Sequence, residues 1–132
     1  MTGVEKPRLR PHLVSMPSLQ ELRRPLLELH KTLVDAERES YERGRGRMSD
    51  GEFLKALIDD PAFAWLGALT ALIVRLEEVE ETVLPKEYVA EIRRLLKPDA
   101  DGSAFQRKYG ELLQRRPEAL VAHGAVIRAL QA

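Results

Sequence analysis

The chain has 132 residues, no cysteine, and cationic and anionic side chains in equal number, 21 each. That is about one domain's length, enough to bury a core unaided. The missing cysteines exclude disulfides, thiolate metal sites and cysteine nucleophiles. Twenty-one leucines against only 5% aromatic residues favour helix over sheet. The neutral total conceals a pattern: residues 1–47 carry net +3, residues 48–91 net −7 and residues 92–132 net +4. Basic ends are thus expected to fold against an acidic middle. A chain without a positive excess lacks the footprint of a general nucleic-acid binder.

Residues 1–17 hold Pro7, Pro11 and Pro17 and several charges. Proline resists helix and pushes its predecessor toward extended backbone, so an extended or disordered arm is expected there. Residues 18–132 are then expected to form the folded domain. Ser18-Leu-Gln-Glu21 reads as a capping box that opens the first helix. Leu19, Leu22, Leu26, Leu29, Leu33 and Ala36 follow at helical spacing. Pro25 predicts a kink, and Gly44 is the expected C-cap.

Ser49-Asp-Gly-Glu52 opens a short second helix carrying Phe53, Leu54, Leu57 and Ile58. Asp60-Pro61 signals a restart. The spacing predicts one helix from Pro61 to about Val83, apolar nearly all round in its first half and therefore central. Pro61 to Val74 is free of charge, but 14 residues cannot span a bilayer. No apolar segment of a secretory signal is visible either, so the expected location is the cytoplasm.

A helix over Lys86–Lys97 follows Pro85. Ser103-Ala-Phe-Gln106 caps another, and Pro117 opens or kinks the last. No apolar alternation supports a strand. The expected fold is all-α: a single-domain antiparallel bundle of five or six helices.

The candidate chemistry is sparse. His30 and His123 lack acidic neighbours at the spacing of bundle metal sites. Asp99-Ala-Asp101 opens like a calcium loop, but Ala104 and Gly110 stand where such a loop needs Gly and Glu, so a turn is expected. Arg43-Gly-Arg45-Gly-Arg47 and the basic arm could touch phosphates. A nucleic-acid accessory role is therefore one alternative, without aromatic residues to support base stacking. The would-be recognition helix of a helix–turn–helix over residues 52–76 is the most apolar segment, which argues against that motif.

The acidic run Glu77-Glu78-Val79-Glu80-Glu81 falls in the last turns of the expected central helix, where the macrodipole disfavours it. Arg93, Arg94 or Lys97 are the expected compensating cations. Glu77-Glu78-x-x-Glu81 also resembles the first half of the acidic motif in the MazG-like nucleoside triphosphate pyrophosphatases. That resemblance implies an all-α enzyme holding Mg²⁺ against a phosphate chain, with Glu77, Glu78, Glu81 and Glu91 as its ligands. The second half should read Glu-x-x-Asp. Here Glu87 and Glu91 stand four apart, with no Asp at the needed place.

The stretch Asp59-Asp60-Pro61-Ala-Phe63-Ala-Trp65-Leu66 resembles segments of small bacterial all-helical proteins of unassigned function, which implies a fold and no activity. The leading expectation is a non-enzymatic bundle without cofactor or metal, acting by protein–protein contact as a homodimer. Leu26, Leu29, His30, Leu33, Trp65, Glu77 and Glu81 are the residues expected at the contact, because apolar residues around Leu26–Val34 wrap more than one narrow stripe.

Overall fold

The computed structural model describes residues 17–80 and 82–131, and the expected arm at residues 1–16 lies outside them. The described chain is all-α. Six α-helices follow one another: α1 Leu19–Arg45, α2 Asp50–Asp59, α3 Gly67–Glu77, α4 Lys86–Leu95, α5 Ala104–Arg115 and α6 Pro117–Gln131. A 3₁₀ segment, Pro61–Leu66, joins α2 to α3.

Local hydrogen bonding accounts for most of the helix starts. Both halves of the capping box form at Ser49/Glu52 and at Ser103/Gln106. Asp60 accepts from the Ala62 amide at 2.9 Å just ahead of Pro61. At α1 the Ser18 hydroxyl accepts from the Glu21 amide at 3.0 Å, and the rest of the anchoring comes from a distant segment. The Leu19 amide donates to Thr82 O at 3.0 Å and the Leu84 amide to Pro17 O at 3.1 Å. These bonds frame an isolated antiparallel bridge between Ser18 and Val83.

Two boundaries differ from those read in the sequence. α1 contains Pro25 and ends at Gly46 instead of Gly44, with Gly46 at φ 93° and its amide donating to Glu42 O. The added half turn brings Arg45 over the Tyr41 ring at 4.0 Å, and one turn back Arg43 lies 3.6 Å from Glu39. Both pairs are spaced i, i+4, which favours continuing the helix. The expected helix from Pro61 to Val83 is a 3₁₀ segment followed by an α-helix that stops at Glu77. The 3₁₀ period stacks residues three apart, which places Phe63 and Leu66 together in the interior. The early stop leaves Glu77 and Glu78 at the negative end of the macrodipole, with Glu80 beyond the helix.

The buried apolar residues form one contiguous cluster. α1 is its main contributor, with Leu22, Leu26, Leu29, Leu33 and Ala36 on one face. It packs mainly on α6 and also on α3, while α5 packs on α6 and on the 3₁₀ segment. The central rod is therefore α1. The Pro61–Glu77 stretch buries Phe63, Trp65, Leu66, Leu69, Leu72 and Leu76 but leaves Ala68, Thr70, Ala71 and Val74 exposed. Alanine and glycine look apolar in sequence, yet each has little surface to bury. Among the described residues, no single helix is long and apolar enough to cross a membrane.

Candidate functional site

The acidic run sits where the start of α1, the end of α3 and the start of α4 meet. Glu77 closes α3 and lies 3.3 Å from Arg23 of α1. Glu91 of α4 is held by the Arg75 guanidinium. An open cleft of about 700 Å³ between α3 and α4 is lined by Arg75, Glu78, Glu80, Glu87, Tyr88 and Glu91. Of the residues that the pyrophosphatase resemblance singles out, Glu78 and Glu91 reach this cleft. Glu77 instead lies in a small crevice beside Leu19, Arg23 and Leu26, and Glu81 is outside the described residues. No group of three or more His, Asp and Glu side chains is arranged to hold a metal among the described residues.

Among the described residues, the cation paired with the run is Arg23 of α1, on Glu77, and none comes from the helix after the run. Arg93 is directed elsewhere, donating to Leu130 O at 3.4 Å. Hydrogen bonding to Glu91 raises the Arg75 pKa further above its ordinary value.

Both described histidines are satisfied within the chain. His30 Nε2 lies 2.9 Å from Thr70 Oγ1. The Thr70 hydroxyl spends its one proton on Leu66 O at 3.2 Å, so His30 must donate from Nε2. His123 Nδ1 lies 2.6 Å from the Tyr109 hydroxyl. Burial raises the phenol pKa, so Tyr109 keeps a proton that it can donate to Nδ1 of the tautomer protonated at Nε2. Burial lowers the pKa of both histidines.

The expected contact residues sit mostly inside the molecule. Leu26, Leu29 and Leu33 face the chain's own core, and His30 is half-buried against Thr70. Trp65 is buried, with Nε1 donating to Glu37 at 3.3 Å and its ring centroid 5.5 Å from that of Phe105. Leu27, on the flank that motivated a partner on α1, is 45% exposed.

Other large apolar side chains left outside lie elsewhere, with Val74 and Val83 among them. Leu54 and Ile58 are 56% and 73% exposed, one turn apart on α2. Leu120 and Val121 are 54% and 70% exposed on α6. Sequence reasoning placed Leu54 and Ile58 on the second helix without marking them as surface. The available signal was on α6, where Leu120-Val121-Ala122 spans more arc than one buried row can use.

The Arg-Gly loop is tied down in part. Arg43 faces Glu39, Arg45 lies over Tyr41, and Arg38 donates to Met48 O at 2.7 Å. Below it, the Tyr41 hydroxyl donates to Asp60, a bond that raises the Tyr41 pKa and lowers that of Asp60. Asp99 accepts from the Asp101 amide at 2.9 Å, as a turn before a capped helix requires.

No protein-family model matches this chain, and neither a curated protein nor a solved structure matches it.

Proposed function

We propose that the chain is a protein-interaction module that associates with a second copy of itself. We further propose that it is a single antiparallel bundle. The contiguous core and the one-residue link between α5 and α6, which pack together, support that arrangement.

The observation that carries the functional reading is the grouping of exposed apolar side chains. Leu54 with Ile58 and Leu120 with Val121 are neighbours on their helices and more than half exposed. Scattered surface leucines need no explanation, whereas grouped ones mark surfaces that lose water on association. Several ionisable groups with identified pKa shifts favour the same reading, since their bonds tie helices to one another. His30 joins α1 to α3, Arg75 joins α3 to α4, and Tyr109 joins α5 to α6.

Sedimentation equilibrium from about 1 μM to about 1 mM chain tests the proposal across the range of weak dimers. A concentration-dependent rise from monomer to dimer mass is expected. Monomer mass throughout overturns it.

A further inference from the structure

On the reading that the chain self-associates, we infer that the interface is the outer face of α6, paired antiparallel with α6 of the second copy about a two-fold axis that crosses the helix at the level of His123. The inward row of α6 is Ala119, His123, Val126 and Leu130. Three of these are fully buried and His123 is bonded to Tyr109. The opposite side carries Glu118, Val121, Ala125 and Arg128, spaced three, four and three residues apart along one stripe.

This stripe reads the same in reverse. Glu118 and Arg128 each stand five residues from His123, and Val121 and Ala125 each stand two away. In an antiparallel pair centred on His123, Glu118 of each copy therefore lies opposite Arg128 of the other. Val121 lies opposite Ala125, twice. A parallel pair would set Glu118 against Glu118 and Arg128 against Arg128, which like charges oppose. Arg128 forms no ion pair among the described residues. Glu118 is paired with Arg116, the residue just ahead of α6.

Shape agrees with charge. Val121 is a projecting knob, 70% exposed. A hollow of about 430 Å³ between α6 and α1 is lined by Ala122, Ala125, Pro25, Arg24, Glu21 and Glu28. The two-fold that pairs the charges also delivers Val121 of one copy to Ala125 of the other, at the mouth of this hollow. Small residues at Ala122, Gly124 and Ala125 let the two helices approach closely. α6 has 15 residues, and a helix that long spans about 22 Å. The contact therefore falls at the small end of specific interfaces, about 1,200 Å² in total, and the dimer is expected in the micromolar range.

Sedimentation equilibrium on the full chain tests the register. The substituted side chains are exposed except Ala125, which is half-buried, and far-UV circular dichroism checks that helix content is kept. Val121→Glu is expected to weaken the dimer by about tenfold or more, because it buries charge at the centre of the contact. Glu118→Arg and Arg128→Glu alone should each weaken it by about tenfold, since each breaks two symmetry-related pairs. The double variant Glu118→Arg/Arg128→Glu should recover to within about threefold of the natural chain, because both pairs re-form with opposite sense.

Failure of the double variant to recover overturns the register. Wild-type affinity in Val121→Glu overturns the interface. If Val121→Glu is harmless while Ile58→Glu abolishes the dimer, self-association stands and the α6 assignment falls. A natural chain that stays monomeric overturns both. Since the chain holds no cysteine, Val121→Cys/Ala125→Cys supplies its only thiols. Oxidation should then yield a covalent dimer, and monomer alone counts against the pairing.

Discussion

Replacing Tyr109 by Phe removes one oxygen and leaves the ring stack with Phe105, centroids 5.1 Å apart, in place. No cavity of consequence opens, so the effect isolates the hydrogen bond to His123 at 2.6 Å. An ordinary neutral hydrogen bond is lost and a half-buried Nδ1 is left unpaired, which together cost about 1–2 kcal/mol. With a urea slope of about 1–3 kcal/mol per molar for a small protein, the unfolding midpoint should fall by about 0.5–1 M at pH 8. The pH dependence carries the sharper test. Burial holds the His123 pKa in the folded chain below its ordinary value of 6.5, and burial acts likewise on His30. Below about pH 6.5 the unfolded chain therefore binds more protons than the folded one. Stability is full above that pH and declines as acidification approaches the folded values. In Tyr109→Phe the bond that favours the neutral imidazole is gone, so protonating His123 costs the folded state less. The gap between the two proteins should narrow from pH 8 to pH 5. Glu42, Asp60 and Glu118, whose pKa values are lowered, titrate further down and equally in both chains. Urea titrations followed by Trp65 fluorescence at four pH values give the measurement. A gap that stays constant or widens on acidification refutes Nδ1 as the acceptor.

Leu29→Ala should lose about 3–4 kcal/mol because its side chain is fully buried in the core. Leu27→Ala on the exposed side of α1 should stay within about 0.5 kcal/mol. Guanidinium unfolding separates the two, and comparable losses would contradict the assignment of the buried face. Ser49→Ala and Ser103→Ala should each cost about 1 kcal/mol, since each removes a formed capping box. Thermal melts showing no change would count against those caps. Gly46→Ala should destabilise by about 1 kcal/mol because φ 93° suits glycine. Gly44→Ala, at a helical position with open space around it, should stabilise by up to about 1 kcal/mol. Opposite signs at these two glycines locate the end of α1, and a reversal would return the cap to Gly44.

Helix starts were legible because a cap is a four-residue transaction. Ser49 with Glu52 and Ser103 with Gln106 satisfy each other's backbone without reference to the rest of the chain. The identity of the central helix was not legible. Freedom from charge over Pro61–Val74 reads as burial, yet the interior follows side-chain area, and the leucine row of α1 has more of it than the alanines of α3. The end of α1 was ambiguous for another reason. Gly44 and Gly46 are equally able to end a helix, and the choice falls to the pairs Arg45–Tyr41 and Arg43–Glu39.

The acidic run shows which part of a site local reasoning can reach. Its conflict with a helix C-terminus was visible in the sequence. Its resolution was not, because it depends on pairing between Pro17–Leu19 and Thr82–Leu84, more than sixty residues apart. That pairing sets the run beside the positive end of the α1 dipole and within reach of Arg23, which no helical period foretells. The α6 stripe presents the reverse case. Glu118, Val121, Ala125 and Arg128 stand in plain order in the sequence, and their mirror symmetry about His123 is there to be counted. What the sequence withholds is which side of α6 faces inward, because apolar and small residues surround most of the helix. Once the Tyr109–His123 bond and the buried Ala119, Val126 and Leu130 occupy one side, the self-complementary stripe is left facing solvent. A surface whose charges and knob map onto their own complements under a two-fold has its own copy as the simplest partner.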